Sequence, residues 1–215
     1  MIEKILEMIF PTCCGLCGKI YSGSICPKCY YNLKNELKFS KENNEDFNIY
    51  YIGFYEKTIR KLLLKFKFKE CAYLVNTFID ILSKNQKMIK TIKRYDYIIP
   101  VPMYTTNKKI RGYNQTELLA KKINDRFNIK CRNDILLKAK QNKRQSQLTE
   151  KERIENVKNV YQLKKQEEIK NKNILLLDDI YTTGNTIKAC RKELQKAEPK
   201  KIDILVMAKR NINML

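Results

Sequence analysis

The sequence predicts an α/β protein built on a parallel sheet and entered through a small cysteine-rich module. Three observations carry this reading. Apolar runs near residues 49–54, 96–101, 174–178 and 202–207 alternate with helix-periodic stretches near 57–66, 73–92, 116–126, 148–158 and 186–197. Right-handed crossovers between parallel strands produce that order. Ile174 to Leu177 are apolar without a break, as in a central strand covered on both faces. Residues 13–31 hold two CxxC pairs.

In chain order, the first ten residues place Ile2, Ile5, Leu6 and Ile9 on one helical face, interrupted by Glu3, Lys4 and Glu7. Such a face packs on the body or touches a membrane surface. The segment lacks the pattern of a secretion leader, and no apolar run approaches the roughly 20 residues of a membrane span. The reading is a cytoplasmic protein, with contact at the inner membrane face as the alternative. Eight cysteines in such a chain point to metal or thiols before disulfides. Cys14 and Cys17 form one knuckle, Cys26 and Cys29 the other, with eight residues between them. Gly18 and Pro27 suit the tight turns, and four thiolates close the shell of one tetrahedral zinc, which makes the site structural. Two disulfides, or a redox CxxC, are the competing readings. Cys13 is a spare, while Cys71, Cys131 and Cys190 read as small buried apolar residues. A module of this size, residues 1–34, draws its folding energy from the metal. Residues 35–46, ending in a polar run from Lys41 to Asp46, read as a linker to a body spanning 47–215.

Charge excludes much. There is no histidine, hence no Ser-His-Asp system, no HExxH zinc site and no imidazole base. The net charge is +21, from 44 basic and 23 acidic residues. Residues 1–46 carry six of each sign, so the body holds the excess. Lys84, Lys87, Lys90 and Lys93 read as one helical stripe. Arg60, Lys61, Lys65, Lys67 and Lys69 form a second cluster, and Lys138, Lys140, Lys143 and Arg144 a third. These patches suit single-stranded nucleic acid or another polyanion; a Lys-, Asn- and Ile-rich composition explains them equally. With 35 lysines against nine arginines, base-specific reading is not supported.

The apolar run ends at Asp178 and Asp179, and Thr182, Thr183, Gly184, Asn185 and Thr186 follow. Ligands of open α/β sheets bind at the C-terminal ends of the strands. Two adjacent carboxylates there call for a partner, either sugar hydroxyls or a hydrated Mg²⁺. Gly184 permits a left-handed backbone, and the N-terminus of the helix after it offers free amides and partial positive charge, a cup for a phosphate. An ordinary Thr-capped turn is the rival reading. No GxxxxGK[ST] loop exists in the chain.

The stretch LLLDDIYTTGNT resembles the phosphoribosyl pyrophosphate (PRPP) motif of type I phosphoribosyltransferases. By that resemblance Asp178 and Asp179 hold the ribose hydroxyls, and Thr182 to Thr186 hold the 5′-phosphate. Residues 98–120, IIPVPMYTTNKKIRGYNQTELLA, are similar to the Pro-Val-Pro and RGYNQ elements of the ComF family, associated with bacterial DNA uptake. Its layout is a double-CxxC finger followed by a phosphoribosyltransferase-like domain. Gln145 to Thr149 with Arg153, Asn156 and Val157 resemble another family element, and Tyr55, Arg60, Leu63, Lys67 and Phe68 its first helix. Lys138 and Asn142 depart from the family's usual arginine and threonine.

Pro100 and Pro102 stiffen the turn after the second strand; the turn either presents the Val101 and Met103 amides to a pyrophosphate or is merely a stiff loop. Arg111 is the candidate clamp for that group, with Gly112 as pivot; Tyr113, Asn114 and Gln115, like Gln145 and Asn156, have no role assigned. Residues 138–153 read as a lid carrying Lys140, Lys143, Arg144 and Arg153, with a solvated loop as the rival. Residues 133–136 or 157–163 add a hairpin or edge strand. The leading expectation is a ComF-type protein that binds PRPP or a related phosphoribosyl compound with Mg²⁺ and assists DNA uptake, with or without phosphoribosyl transfer. The alternatives are a nucleobase-salvage phosphoribosyltransferase, or a non-catalytic adaptor that binds single-stranded DNA or docks an uptake helicase or another competence protein.

Overall fold

The computed structural model describes residues 12–140 and 160–211. Its elements run α1 (Pro27–Glu36), β1 (Leu37–Asn43), β2 (Asn48–Gly53), α2 (Lys57–Phe66), a 3₁₀ turn (Lys69–Leu74), α3 (Val75–Ser83), α4 (Gln86–Ile92) and β3 (Tyr97–Pro100). Then come α5 (Thr105–Arg111), α6 (Gln115–Phe127), β4 (Leu136–Lys138), β5 (Tyr161–Leu163), β6 (Asn173–Tyr181), α7 (Asn185–Gln195) and β7 (Lys201–Lys209). The main sheet has the order β1-β2-β7-β6-β3. Every neighbouring pair is parallel except β1–β2. This is the α/β parallel-sheet fold that the strand and helix order predicts.

Strand alternation divides the core in two. Leu175, Leu177, Leu205 and Met207 face a layer containing α2, α3, α4 and α6. Ile174, Leu176, Ile204 and Val206 face a second layer that includes α7 and the β4–β5 hairpin. Both faces of β6 and β7 are therefore covered, which is why Ile174–Leu177 and Ile204–Ala208 are unbroken apolar runs.

Several expectations are corrected. The polar stretch expected as a linker is an edge strand: β1 pairs antiparallel with β2. It buries only part of one face, where Phe39 stacks on Tyr50 with ring centroids 6.5 Å apart, so its polar content reflects solvent on the other side. The cysteine module also continues into the body. Glu36, the last residue of α1, accepts the Thr58 and Ile59 amides at 2.9 and 3.1 Å and so caps α2. Tyr73 donates to the Cys13 carbonyl at 3.2 Å.

The helix expected over 73–92 is a 3₁₀ turn and two helices. Asn85 stops continuity because its side chain accepts the Met88 amide at 2.9 Å and caps α4. The four-lysine stripe is thereby broken, and Lys84 turns to Tyr30, donating to its hydroxyl at 2.8 Å. β6 continues through both aspartates to Tyr181, paired with β7 as far as Lys209. Cys190 is buried as expected, whereas Cys71 and Cys131 are half-buried. The expected helix over 148–158 and the amphipathic start of the chain lie outside the described residues. Among the described residues, no helix is long and apolar enough to cross a membrane.

Candidate functional site

A cleft of about 440 Å³ opens where β3 and β6 end. The two aspartates face opposite ways from adjacent positions on β6, as successive strand residues must. Asp179 turns to the α2 side, where the Lys67 ammonium stands 3.8 Å away. Asp178 lies on the α7 side, beside Cys190, Tyr161 and Lys138. Among the described residues it forms no ion pair, and its Oδ1 accepts the Asp179 amide at 2.8 Å. Burial, reinforced by repulsion from Asp179, pushes the Asp178 carboxyl well above the ordinary carboxylate range. Lys138 shares that desolvated wall: burial pulls its ammonium down, although Cys190 and Asp178 act the other way. Its Nζ lies 5.5 Å from the Tyr161 ring centroid.

The turn after β6 is shaped by Gly184, whose φ is +77°. A Cβ there would meet the Tyr181 hydroxyl oxygen at 2.4 Å. Gly184 is the N-cap of α7 and no side chain caps that helix, so the Thr-capped reading fails. The first internal bond runs from the Lys188 amide to the Gly184 carbonyl at 2.8 Å. The amides of Asn185, Thr186 and Ile187 are therefore left without helical acceptors. Thr182 and Thr186 line the cleft. Thr183, Gly184 and Asn185 form the turn without lining it.

From the other side, Val101, Met103 and Arg111 reach the cleft. The Val101 amide does not serve it: it donates to the Leu177 carbonyl at 2.8 Å, extending the β3–β6 ladder by one residue. Arg111 ends α5, a helix the sequence pattern did not reveal, and Gly112 closes it in the left-handed region with φ 80°. Lys140 is misplaced by the sequence reading, since it borders a separate groove with Gln162 and Lys196. Arg144, Gln145, Arg153 and Asn156 lie outside the described residues.

The RGYNQ element has a structural role that sequence reasoning left unassigned. Asn114 caps α6 through the Thr116 amide (3.2 Å) and donates to the Val101 carbonyl at 3.2 Å. Thr116 donates to the same carbonyl at 2.7 Å. Tyr113 donates to the carbonyls of Phe66 and Phe68, and Gln115 to that of Lys67 at 3.4 Å. One short segment thus holds both the Pro-Val-Pro turn and the turn carrying Lys67. Lys67, Lys138, Tyr161 and Tyr55 line the cleft but were not among the expected site residues. For Lys67 the available signal was a lysine between two aromatics at a helix end, within a family-like segment.

The four expected metal ligands converge. The thiol sulfurs of Cys14, Cys17, Cys26 and Cys29 all lie within 4.8 Å of one another. Cys17 and Cys26 Sγ are 3.8 Å apart, matching the roughly 3.8 Å between sulfurs about 2.3 Å from a tetrahedral ion. Burial raises the Cys14 thiol, but amides including that of Cys26, 3.2 Å from its sulfur, overcome this and bring it to about 6. The set can hold a metal ion such as zinc. Cys13 is outside it.

A phosphoribosyl transferase domain model matches residues 115–214. Competence protein F of Haemophilus influenzae is 30% identical over 202 residues, 91% of this chain and 84% of that protein. Competence protein ComFC of Bacillus subtilis is 26% identical over 183 residues, 85% of this chain and 71% of that one. Among solved structures, a hypoxanthine phosphoribosyltransferase from Staphylococcus aureus aligns at TM-score 0.36 and 15% identity, over 83% of this chain and 71% of that chain. On the strength of the first relative, the chain belongs to the ComF family, with a phosphoribosyltransferase-type domain behind its four-cysteine module.

Proposed function

We propose that the cleft binds PRPP or a closely related phosphoribosyl compound together with Mg²⁺, and that the protein serves DNA uptake in natural transformation. One observation carries the proposal. Asp178, Asp179, Thr182 and Thr186, from the end of β6 and the start of α7, meet Met103, before α5, and Arg111, at its end, across a single cleft. In this reading the aspartates accept from the ribose hydroxyls, and the Thr182–Thr186 turn with the N-terminal amides of α7 holds the 5′-phosphate. Arg111 and Lys67 supply positive charge for the pyrophosphate. Mg²⁺, bound with the ligand, shields the phosphates. If transfer occurs, a nucleophile forms a bond to ribose C1 while the C1–oxygen bond breaks and pyrophosphate departs with the electron pair. The protein then acts by orientation and charge neutralisation.

The four-cysteine cluster is proposed to hold a structural zinc. Titration calorimetry with PRPP and Mg²⁺ tests the ligand: saturable heat that disappears in the Asp178→Ala/Asp179→Ala protein supports it, and unchanged heat refutes the site. Mass spectrometry of mixtures with PRPP, Mg²⁺ and a pool of nucleobases, nucleotides or DNA decides whether turnover follows. Transformation frequency in a deletion strain complemented with the same double variant tests the link to uptake.

A further inference from the structure

We propose that a second, apolar pocket binds an extended acidic peptide segment through one large apolar side chain. The pocket, about 270 Å³, lies where the cysteine module meets the body. Tyr30 of α1 and Leu37 and Phe39 of β1 form its half-buried walls, while Ile81 and Met88 of α3 and α4 form its buried floor. That volume suits one Phe or Leu side chain and is far from the aspartate cleft in chemistry: no carboxylate lines it.

Its rim is cationic. Lys34 and Lys84 border the opening, both are exposed, and among the described residues neither pairs with a carboxylate. Lys84 is held in place, its Nζ 2.8 Å from the Tyr30 hydroxyl and 4.2 Å from the ring centroid. Two exposed ammonium groups without an ion-pair partner among the described residues, although Asp80 acts on Lys84 from a distance, flank an apolar floor and select an anionic partner with an apolar anchor. β1 is the outermost strand of the sheet, so among the described residues no strand pairs with its outer edge, beside the pocket wall that Leu37 and Phe39 build. An extended segment is the partner such an edge accommodates. Because α1 supplies one wall, this surface exists only while the cysteine module is folded.

Fluorescence anisotropy of the full chain with its metal retained provides the test. Three labelled decapeptides are compared: acidic residues around one central Phe, the same with Phe→Ser, and the Phe peptide with lysines replacing the acids. The acidic Phe peptide is expected to bind about tenfold or more tightly than either control. The Lys34→Glu/Lys84→Glu protein is expected to lose that preference, and Lys87→Glu to keep it. Leu37→Trp, which fills the pocket from a strand that accepts aromatics, should abolish binding with the melting temperature preserved. Equal binding of the Phe and Ser peptides, or indifference to Lys34 and Lys84, would reduce the effect to attraction by a chain of charge +21 and overturn the proposal. Binding only after removal of residues 1–11 would assign the pocket to the chain's own start and overturn it equally.

Discussion

The Lys67 ammonium lies 3.8 Å from the Asp179 carboxylate, an ion pair at the mouth of the cleft between a helix end and a strand end. Both side chains are partly exposed, at 29% and 19%, so the pair contributes little to stability, roughly 0–1 kcal/mol. In the proposed PRPP site its weight falls on ligand binding. Lys67→Met is expected to leave the melting temperature nearly unchanged. Loss of a charge-assisted contact of about 1.5–3 kcal/mol should weaken PRPP binding about tenfold to a hundredfold. Calorimetry beside a thermal melt separates the two. Equal affinity in the variant would remove Lys67 from the site.

Asp178 differs from its neighbour because among the described residues it is buried without an ion pair, and burial with repulsion from Asp179 holds its carboxyl well above the ordinary range. An acid whose folded pKa is raised opposes folding at every pH above that pKa. The opposition fades as pH falls through the folded value toward the unfolded one of about 3.9. Asp178→Asn should therefore raise the melting temperature at neutral pH, by about 2–4 °C for each 1 kcal/mol released. The gain should shrink on acidification, and PRPP binding should be lost. A melting series across pH with parallel calorimetry reads both; a lower melting temperature at neutral pH would contradict the assignment.

Asp203 is the opposite case at the other end of the sheet. It is fully buried, and burial alone would raise its pKa, but bonds from Lys201, Tyr95 and Asn48 outweigh burial and lower it. A depressed acid stabilises the fold above its unfolded pKa, near 3.9, and that contribution is lost as pH falls through the folded value. Asp203→Asn is expected to destabilise by about 3 kcal/mol at neutral pH by breaking a buried network. The deficit against wild type should narrow below about pH 4. Denaturant melts at neutral and acid pH check it; a deficit that does not narrow would mean shape, not charge, holds the network.

What was legible in the sequence depended on whether a residue's neighbours in space were also its neighbours in the chain. The strand order, the acidic pair, the Gly184 turn and the four cysteines declare themselves in local patterns of period 2, spacing or φ demand. Lys67 does not, because its partner Asp179 and its holders Tyr113 and Gln115 come from distant segments. β1 was hidden for another reason: an edge strand needs only one partly apolar face, so Leu37 and Phe39 among polar neighbours look like a linker. The Val101 amide was misassigned because the sheet ladder runs one residue past the last strand residue, which no sequence pattern marks.

Gly184 ties backbone conformation to the proposed phosphate cup. At φ +77° any other residue is strained, and an added Cβ would press on the Tyr181 hydroxyl. Gly184→Ala should cost about 1–2 kcal/mol from the left-handed backbone. It should reduce PRPP affinity more than it reduces stability, because the turn before α7 must shift. Calorimetry at a temperature well below the melt distinguishes the effects; unaltered affinity would show that the turn does not contact the ligand.

Metal removal links the cysteine module to the sheet. Leu33 of α1 is fully buried, and Glu36 at its end caps α2. If zinc holds the cluster, the purified protein should carry one equivalent. Cys17→Ser should lose it and Cys13→Ser should keep it, since Cys13 lies outside the set. Chelation should lower the melting temperature by about 10 °C, given several kcal/mol of metal-linked folding energy and about 2–4 °C per kcal/mol. Hydrogen exchange should quicken first across Pro27–Asn43 and at the Thr58 and Ile59 amides, because their acceptor Glu36 travels with α1. Exchange confined to the cysteine loops would mean that α1 keeps its place on the sheet by packing alone, and that the metal orders only its own knuckles.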